Sequence, residues 1–367
     1  MQKRIRNFVL LLTVTIVQIH AQVTNPVKID FELHPVSPYT TLMAQHDFPN
    51  ASWYHGFEYG RASIVEDNGS KVLRLKYPQG CLGPNYEEGC AAQVKWNLPE
   101  PAKTMWVGYK IKFEEGFDFR KGGKLPGLCG GKAYSGGNKP ASKGDGWSAR
   151  IMWRQDGAIH QYMYYVEQAA NYGDYWPWTD ESSVSSRFIP GKWHTVITQI
   201  ILNTIESGAT NGNHDGVLRS WLDGEMVLEK TGLRLIDFED QMIDIFYIST
   251  FHGGDNSDWK PLNDSYIRYD DFIVSKNPIE PSSMQTTSYK PANDQTTVIY
   301  PCHITQTLIV SSDKNIQSVD IFSATGNHIL SSKETSIGLS RLKTGLYIAL
   351  VIFADGSITQ TKFIKSY

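Results

Sequence analysis

Residues 117–166 contain three short runs that decide the fold and the site: Gly122-Gly123-Lys124-Leu125-Pro126-Gly127-Leu128, Ser148-Ala149-Arg150 and Tyr162-Met163-Tyr164. The first run predicts a cationic loop, because its glycines leave the backbone open around Lys124. The other two runs predict β-strands that carry polar groups where a sheet normally carries its core. We therefore expect the functional residues of the chain to lie in this stretch.

The register of the two strands determines whether their polar groups can meet. Directly paired residues of an antiparallel hairpin point to the same face. A two-residue turn would place Arg150 opposite Met163 and leave Tyr162 on the other face. A three-residue loop over residues 155–157 pairs Arg150 with Tyr162, and such loops favour glycine where Gly157 stands. If the cluster is real, the hairpin should have the odd-numbered loop.

Composition limits the kinds of partner. The 367 residues suit one large domain and an accessory domain. The net charge of −3 does not suggest binding to nucleic acid or to an anionic membrane surface, so a polyanionic substrate would need a local basic cluster. The chain has 10 Trp, 19 Tyr and 15 Phe, which suit sheet cores and also stack on sugar faces.

Residues 22–277 predict one all-β domain. Residues 105–113 alternate in strand period, and residues 193–202 form an apolar run suited to a strand buried on both faces. Asp223-Gly224 between two apolar runs predicts a hairpin. Further strands are predicted at residues 243–251 and 265–274. Many short strands separated by Gly, Asn and Asp turns predict a β-sandwich or jelly roll.

Both ends of the chain have the character of targeting segments. Residues 1–21 predict a secretory signal peptide, with a basic start and an apolar run that is too short to span a bilayer. No other run is long and apolar enough for a span. Residues 278–300 predict a polar linker punctuated by proline, and residues 301–367 a small β-module. We expect an exported, soluble monomer.

The C-terminal module resembles the sorting domain of the type IX secretion system. The matching residues are Val319-Asp320-Ile321-Phe322 with Gly326, Gly345-Leu346-Tyr347-Ile348, Gly356, and the closing Lys362-Phe363-Ile364-Lys365. This resemblance implies that the secretion machinery is a partner and that the protein is secreted or held at the cell surface. A generic immunoglobulin-like accessory module is the alternative.

The four cysteines predict one disulfide. Cys81 and Cys90 flank a short loop, which favours a local disulfide in an oxidising compartment. A metal half-site is the weaker alternative, because no histidine or second close cysteine pair completes it. Cys129 and Cys302 fall in separate predicted domains, so we expect both to be free. We expect no cofactor and no catalytic metal, and leave a structural calcium ion open.

A cluster of Lys124, Arg150, Tyr162 and Tyr164 suits chemistry on a carboxylated sugar. Arginine and lysine hold carboxylates. Once that carboxylate is neutralised, a lysine or tyrosine in its basic form can remove the adjacent proton. A neighbouring cation lowers the pKa of either group. The cluster therefore predicts β-elimination on a uronic acid polymer, with a tyrosine protonating the departing glycosidic oxygen.

The same residues resemble polysaccharide lyase family 14, and the related glucuronan lyases of family 20 have a similar glycine-rich segment. The resemblance spans residues 28–276 and includes Gly130-Gly131, Phe251-His252-Gly253-Gly254 and Asp258-Trp259-Lys260-Pro261 in addition to the three runs above. It implies a β-jelly roll that cleaves alginate or, next, glucuronan by β-elimination. It implies catalytic roles for Lys124, Ser148, Arg150, Tyr162 and Tyr164. Cys129 and His252 depart from the usual family pattern.

Several residues have a second interpretation. Arg150 could form an ion pair with Asp145 or Glu167, and the two tyrosines could be ordinary sheet aromatics. His160, His252 and Asn138 are expected to contact the substrate, although a structural role is as reasonable for the two histidines.

Two other functions compete with the lyase. A hydrolase needs two carboxylates facing each other across a cleft, and Glu114, Glu115, Asp237, Glu239 and Asp240 stand in no recognisable paired motif. A non-catalytic glycan-binding module on the same scaffold is the alternative from a different class. Binding needs cations and aromatics, whereas only catalysis needs a proton acceptor aimed at the sugar C5.

Overall fold

A computed structural model describes residues 26–83, 90, 92–137, 143–169, 171–284, 297–302, 307–312, 314–324 and 326–365. The predicted signal peptide, Asn138 and residues 285–296 of the predicted linker lie outside these residues. The described residues contain one α-helix, α1 (Thr41–Asp47), and 23 strands. None of the helices there has the length and apolar character that a membrane span requires.

The first sixteen strands are β1 (Val27–Ile29), β2 (Ser37–Pro38), β3 (Trp53–His55), β4 (Ala62–Asp67), β5 (Ser70–Tyr77), β6 (Ala92–Ala102), β7 (Thr104–Phe113), β8 (Gly122–Gly131), β9 (Gly146–Arg154), β10 (Ile159–Tyr164), β11 (Asp174–Pro177), β12 (His194–Ile201), β13 (Gly216–Leu222), β14 (Glu225–Leu233), β15 (Ile243–His252) and β16 (Ser265–Ser275). The last seven are β17 (Thr297–Cys302), β18 (Thr307–Ser312), β19 (Ile316–Ser323), β20 (His328–Ser332), β21 (Ser336–Gly338), β22 (Gly345–Phe353) and β23 (Ile358–Lys365).

Two antiparallel sheets form a β-sandwich. A nine-stranded sheet has the order β14-β13-β12-β7-β16-β5-β4-β2, with β1 also paired to β16. A seven-stranded sheet has the order β11-β10-β9-β8-β15-β6-β3. One apolar cluster joins them and includes Tyr109 and Phe113 of β7 with Ile151 and Trp153 of β9. The predicted all-β sandwich is therefore confirmed.

The first part of the predicted linker, residues 278–284, packs on the sandwich. Ile279 and Met284 are only 6% and 1% exposed. They cover Ile197 on the outer face of β12, which explains why that strand is apolar on both faces. A short 3₁₀ turn over Pro281–Met284 carries the contact. The polar, proline-punctuated composition predicts a linker over residues 278–300, but Ile279 and Met284 provide apolar surface to bury.

The C-terminal module has its own core. β17, β18 and β21 form a three-stranded sheet, and the other four strands form a sheet in the order β20-β19-β22-β23. Leu308, Ile321 and Val351 belong to an apolar cluster that is separate from the sandwich core. The predicted β-module is therefore confirmed, and its first strand, β17, begins inside the predicted linker.

The predicted disulfide is confirmed, since Cys81 and Cys90 are bonded. Cys129 is a free thiol, as expected, and it is fully buried on β8. Burial raises the pKa of this thiol to about 12, so it is an inert packing group rather than a reactive one. The side chain of Cys302 lies outside the described residues.

Candidate active site

The glycine-rich run forms a strand in the middle of a sheet, which corrects the predicted loop. β8 lies between β9 and β15. A side-chain carbon on Gly123 would lie 2.0 Å from the Trp153 ring, and one on Gly127 would lie 2.0 Å from the Ala149 carbonyl. The glycines therefore permit close approach of neighbouring groups, which a sequence pattern does not distinguish from an open loop. Pro126 falls in a bulge of the β8–β9 pairing, where a missing N–H is tolerated.

The β9–β10 hairpin has the predicted register. Arg150 lies opposite Tyr162, and Ser148 lies opposite Tyr164. The Arg154 N–H donates to the Ala158 carbonyl at 2.7 Å, and this bond closes a loop of the three residues Gln155–Gly157. The odd-numbered loop is therefore confirmed, and it brings the predicted side chains onto one face.

We call the face of the seven-stranded sheet that carries Lys124, Arg150, Tyr162 and Tyr164 the site face. Lys124 joins this face because it pairs with Met152, which is two residues along β9 from Arg150. The opposite face, the core face, packs into the sandwich.

Lys124 lies among apolar and cationic groups. Its Nζ is 3.1 Å from Met152 Sδ and 4.1 Å from the centre of the Tyr162 ring. Burial, followed by the positive charges of Arg150 and Arg154, lowers the pKa of Lys124 well below its ordinary value. A lysine whose pKa is lowered is more often neutral, and a neutral amine can accept a proton.

Arg150 is a buried cation that is only 2% exposed. Its Nη1 donates to Ser249 Oγ at 3.2 Å, while Nε and Nη2 have no hydrogen-bond partner among the described residues. The ring centres of Tyr162 and Tyr164 lie 5.5 and 5.9 Å from its Cζ. Because a buried cation without a carboxylate is costly, this guanidinium suits a carboxylate supplied by a ligand.

The alternative partners of Arg150 are engaged elsewhere. Asp145 pairs with Lys132 at 2.6 Å, and Glu167 pairs with His214 at 2.7 Å. Neither carboxylate neutralises Arg150.

Two of the carboxylates considered for a hydrolase, Glu114 and Asp237, are held in ion pairs. Glu114 binds Arg74 at 2.7 Å and Arg268 at 2.6 Å. Asp237 binds Arg234 at 2.7 Å. These carboxylates are therefore committed to arginines of the scaffold.

The hydroxyls of Tyr162 and Tyr164 are 3.2 Å apart. Tyr164 is fully buried and its hydroxyl accepts from the Gly137 N–H at 3.0 Å, whereas Tyr162 is 6% exposed. Burial, followed by the neighbouring Tyr164 hydroxyl, raises the pKa of Tyr162. The sequence predicted that cations would lower it, but burial outweighs the opposing charge of Arg150. Tyr162 is thus a protonated group that can give a proton.

Gln93 belongs to the same site and was not predicted. It is fully buried on β6, directly opposite Ser249 of β15, which accepts from Arg150. Its Oε1 accepts from the Tyr247 hydroxyl at 2.7 Å, and its Nε2 has no partner in the part of the chain that the structure describes. The amide N–H groups are therefore donors without an acceptor among the described residues, next to the Ser249 that binds Arg150. No motif marks Gln93, and only the order of the strands brings it here.

Ser148 and His160 also lie on the site face. Ser148 is fully buried and donates to the Tyr134 carbonyl at 2.6 Å, so it fixes backbone next to the cluster. The ring of His160 stacks on Tyr175 with the ring centres 5.9 Å apart. Burial, followed by the charge of Arg154, lowers the pKa of His160.

His252 lies on the core face, so its predicted substrate contact is wrong. Its Nε2 is 2.7 Å from the Asp118 carbonyl, and its ring stacks on Phe117 with the centres 5.6 Å apart. Burial lowers the pKa of His252 to about 4. The histidine is a neutral core group that ties β15 to the segment before β8. The contact predicted for Asn138 falls outside the described residues and stays a prediction.

Two family models match the chain. The model for Polysaccharide lyase 14 matches residues 65–272, which is more than half of the chain. The model for the Secretion system C-terminal sorting domain matches residues 298–366. A search of the curated proteins finds no match.

Solved structures of alginate lyases are similar to the chain. Alginate lyase Aly36B is 25% identical, with a TM-score of 0.56 over 70% of this chain and 98% of that chain. A variant of Aly36B has also been solved in complex with alginate tetrasaccharide. The marine alginate lyase from Aplysia kurodai is 23% identical, with a TM-score of 0.55 over 68% of this chain and 99% of that chain. Alginate lyase vAL-1 from Chlorella virus is 18% identical, with a TM-score of 0.50 over 59% and 89%.

The family match, the sandwich and the order of the motif residues agree with one another. The sorting-domain match shows that the protein is secreted or placed at the cell surface. The chain belongs to the polysaccharide lyase 14 family and is a polysaccharide lyase with a C-terminal secretion sorting domain.

Proposed function

We propose that the chain cleaves a uronic acid polymer by β-elimination, with alginate, as polymannuronate, the favoured substrate and glucuronan the next. The observation that carries the proposal is the state of Arg150, a buried guanidinium with two unpaired donor nitrogens among the described residues. A carboxylate of the polymer satisfies this cation and places the sugar beside Lys124 and Tyr162.

The proposed reaction is balanced within the site. Arg150 and Gln93 hold the sugar carboxylate, which makes the neighbouring C5 proton acidic. Neutral Lys124 takes this proton, the electron pair of the C5–H bond forms a C4–C5 double bond, and the bond from C4 to the glycosidic oxygen breaks. Tyr162 gives its proton to that oxygen. The Lys124 ammonium then returns a proton to the Tyr162 phenolate, which restores both groups.

The two tyrosines take different roles in this proposal. Tyr164 accepts from Gly137, so its own hydroxyl proton is free to be donated to the Tyr162 oxygen. That bond orients Tyr162 with its proton toward the substrate. Ser148 positions the cluster through the Tyr134 carbonyl.

The substrate is inferred from the charges of the site and from the relatives. The site face presents cations and an amide donor to the ligand, which suits an acidic sugar rather than a neutral one. Aly36B has been solved with an alginate oligosaccharide, and this favours alginate for the present chain. Glucuronan has the same carboxylate and is kept as the second substrate.

A Lys124→Ala variant tests the assignment of the base. We expect turnover to fall by about 10²–10⁴-fold, the usual contribution of a general base, with affinity for the polymer kept within a few-fold. Lys276→Ala is the matched control, because it removes a lysine from a surface ion pair with Glu100. Turnover is followed by the ultraviolet absorbance of the unsaturated product, and affinity by calorimetry. Turnover of Lys124→Ala close to that of Lys276→Ala would contradict the assignment.

A further inference from the structure

Arg154 extends the site face beyond the catalytic cluster. It is the last residue of β9 and lies on the same face as Arg150 and Met152, because alternate residues of a strand share a face. Four strand residues span about 13 Å, so Arg154 lies well beyond the reach of the carboxylate that Arg150 would hold.

Two aromatic rings flank the Arg154 guanidinium. Its Cζ is 5.6 Å from the ring centre of Tyr175 and 5.2 Å from that of Trp259. Tyr175 is 58% exposed although His160 stacks on one face of its ring, so part of the ring is open to a ligand. Trp259 packs against the cluster that contains Met152 and Tyr162, which connects this place directly to the catalytic groups.

Arg154 forms no ion pair with a carboxylate within the described residues, although it lines an open pocket with other charged groups. Lys121 in this pocket pairs with Asp258 at 2.6 Å. Arg187 donates to the Asp156 carbonyl at 2.9 Å. Lys121 and Arg187 are therefore engaged by other groups of the protein, whereas the guanidinium of Arg154 faces the site face.

We propose that Arg154, Tyr175 and Trp259 form a distal subsite that binds a second carboxylated sugar of the same polymer. A guanidinium fork binds a carboxylate through two hydrogen bonds, and aromatic faces stack on the C–H surface of a sugar ring. The combination selects an acidic sugar, since a neutral glycan would need only the rings. The inference rests on the proposed polyuronate substrate. It adds a subsite that only longer chains of this substrate can reach.

Arg154→Ala tests the subsite by kinetics on uronate oligomers of increasing length and on the polymer. We expect KM for the polymer to rise about tenfold, as for the loss of a charge-assisted hydrogen-bond pair, while KM for the shortest cleaved oligomer stays within twofold. Measurements are made above the acid limb of the pH profile, where kcat should change little. Arg154→Lys keeps the charge without the fork, and we expect an intermediate rise.

Arg219→Ala is the matched control, because it removes one positive charge on β13 of the other sheet. Thermal unfolding shows that each variant is folded. Values for Arg154→Ala that equal those of Arg219→Ala at every length would overturn the subsite, and so would an equal loss on the shortest oligomer.

A calorimetric titration with the polymer measures binding without cleavage, so it tests the subsite separately from the proposed reaction. If the wild type binds a polyuronate without producing unsaturated ends, the proposed reaction fails, and weaker binding by Arg154→Ala still supports the subsite. If the wild type neither binds nor cleaves any polyuronate, both proposals are wrong.

Discussion

The pKa values of Lys124 and Tyr162 are shifted in opposite directions by the same buried environment. Burial disfavours the charged form of each group, so it lowers the pKa of the lysine and raises that of the tyrosine. Both groups are thereby biased toward the neutral form, one able to take a proton and the other able to give one. The sequence identified both residues, but it could not indicate that burial exceeds the effect of the nearby cations on Tyr162.

The charge of Arg154 contributes to the lowered pKa of Lys124. Neutral Lys124 is the active form, so turnover should fall as the pH drops through its pKa. Removing the cation in Arg154→Ala favours protonated Lys124, raises its pKa and should move the acid limb of kcat to higher pH. A pH–rate profile checks this shift, with Arg219→Ala as the control. An acid limb that stays in place would show that Lys124 is not the titrating base.

Gln93 supplies a test of how the carboxylate is held. Gln93→Glu replaces two N–H donors by an anion that pairs with Arg150 and repels the substrate. We expect a loss of transition-state stabilisation of roughly 1.5–3 kcal/mol or more, measured as kcat/KM. Gln199→Glu makes the same change on β12, where Gln199 accepts from Arg219, and should be nearly neutral. Similar kcat/KM values for the two variants would remove Gln93 from the site.

At the scale of elements, the hairpin was predictable and the central strand was not. Alternation left two ways for the hairpin strands to face each other, and Gly157 together with the requirement that the cluster form selected the one in which Arg150 lies opposite Tyr162. The sequence of Gly122–Leu128 predicts a loop, since glycine permits both open turns and close packing. Sequence also could not show that His252 faces the core, because this follows from its alternation with Ser249, and only the structure shows that Ser249 lies beside Arg150 on the site face.

Gly157 holds the odd-numbered loop in place. Its φ is +77°, and a side-chain carbon there would lie 2.4 Å from the Phe188 carbonyl. Gly157→Ala should lower the free energy of unfolding by about 1–3 kcal/mol and reduce turnover by disturbing the register. Gly208→Ala is the control. Gly208 has a φ of +80°, and a side-chain carbon there would have nothing within 4 Å, so this variant has the backbone strain without the steric clash. Denaturant unfolding should find the larger loss in Gly157→Ala, and equal losses would contradict the steric argument.

At the scale of the whole molecule, the order of strands assembles the site. β6, β8, β9, β10 and β15 contribute residues, and these strands are neighbours in the order β10-β9-β8-β15-β6 rather than in chain order. Local patterns could therefore locate Lys124 and the hairpin but not Gln93, whose partner Ser249 lies far along the chain. Sheet order depends on which faces bury each other, and this is a property of the complete chain.

The boundary of the catalytic domain can be tested by truncation. A chain that ends at Met284 keeps the cover over Ile197 and should unfold at nearly the temperature of the full protein, because the C-terminal module has a separate core. A chain that ends at Asn277 loses Ile279 and Met284, and we expect it to lose roughly 2–5 kcal/mol of stability. Calorimetry of both chains measures the difference. Equal stability would mean that residues 278–284 are linker, as the sequence predicted.

The most direct test of the proposed reaction is the ultraviolet absorbance of polymannuronate, polyguluronate, glucuronan and a neutral glucan during incubation with the purified protein. Elimination forms a conjugated unsaturated uronate, whereas hydrolysis and binding do not. We predict a rise on polymannuronate, a weaker rise or none on the other polyuronates, and none on the glucan. New reducing ends without any rise in absorbance would contradict β-elimination.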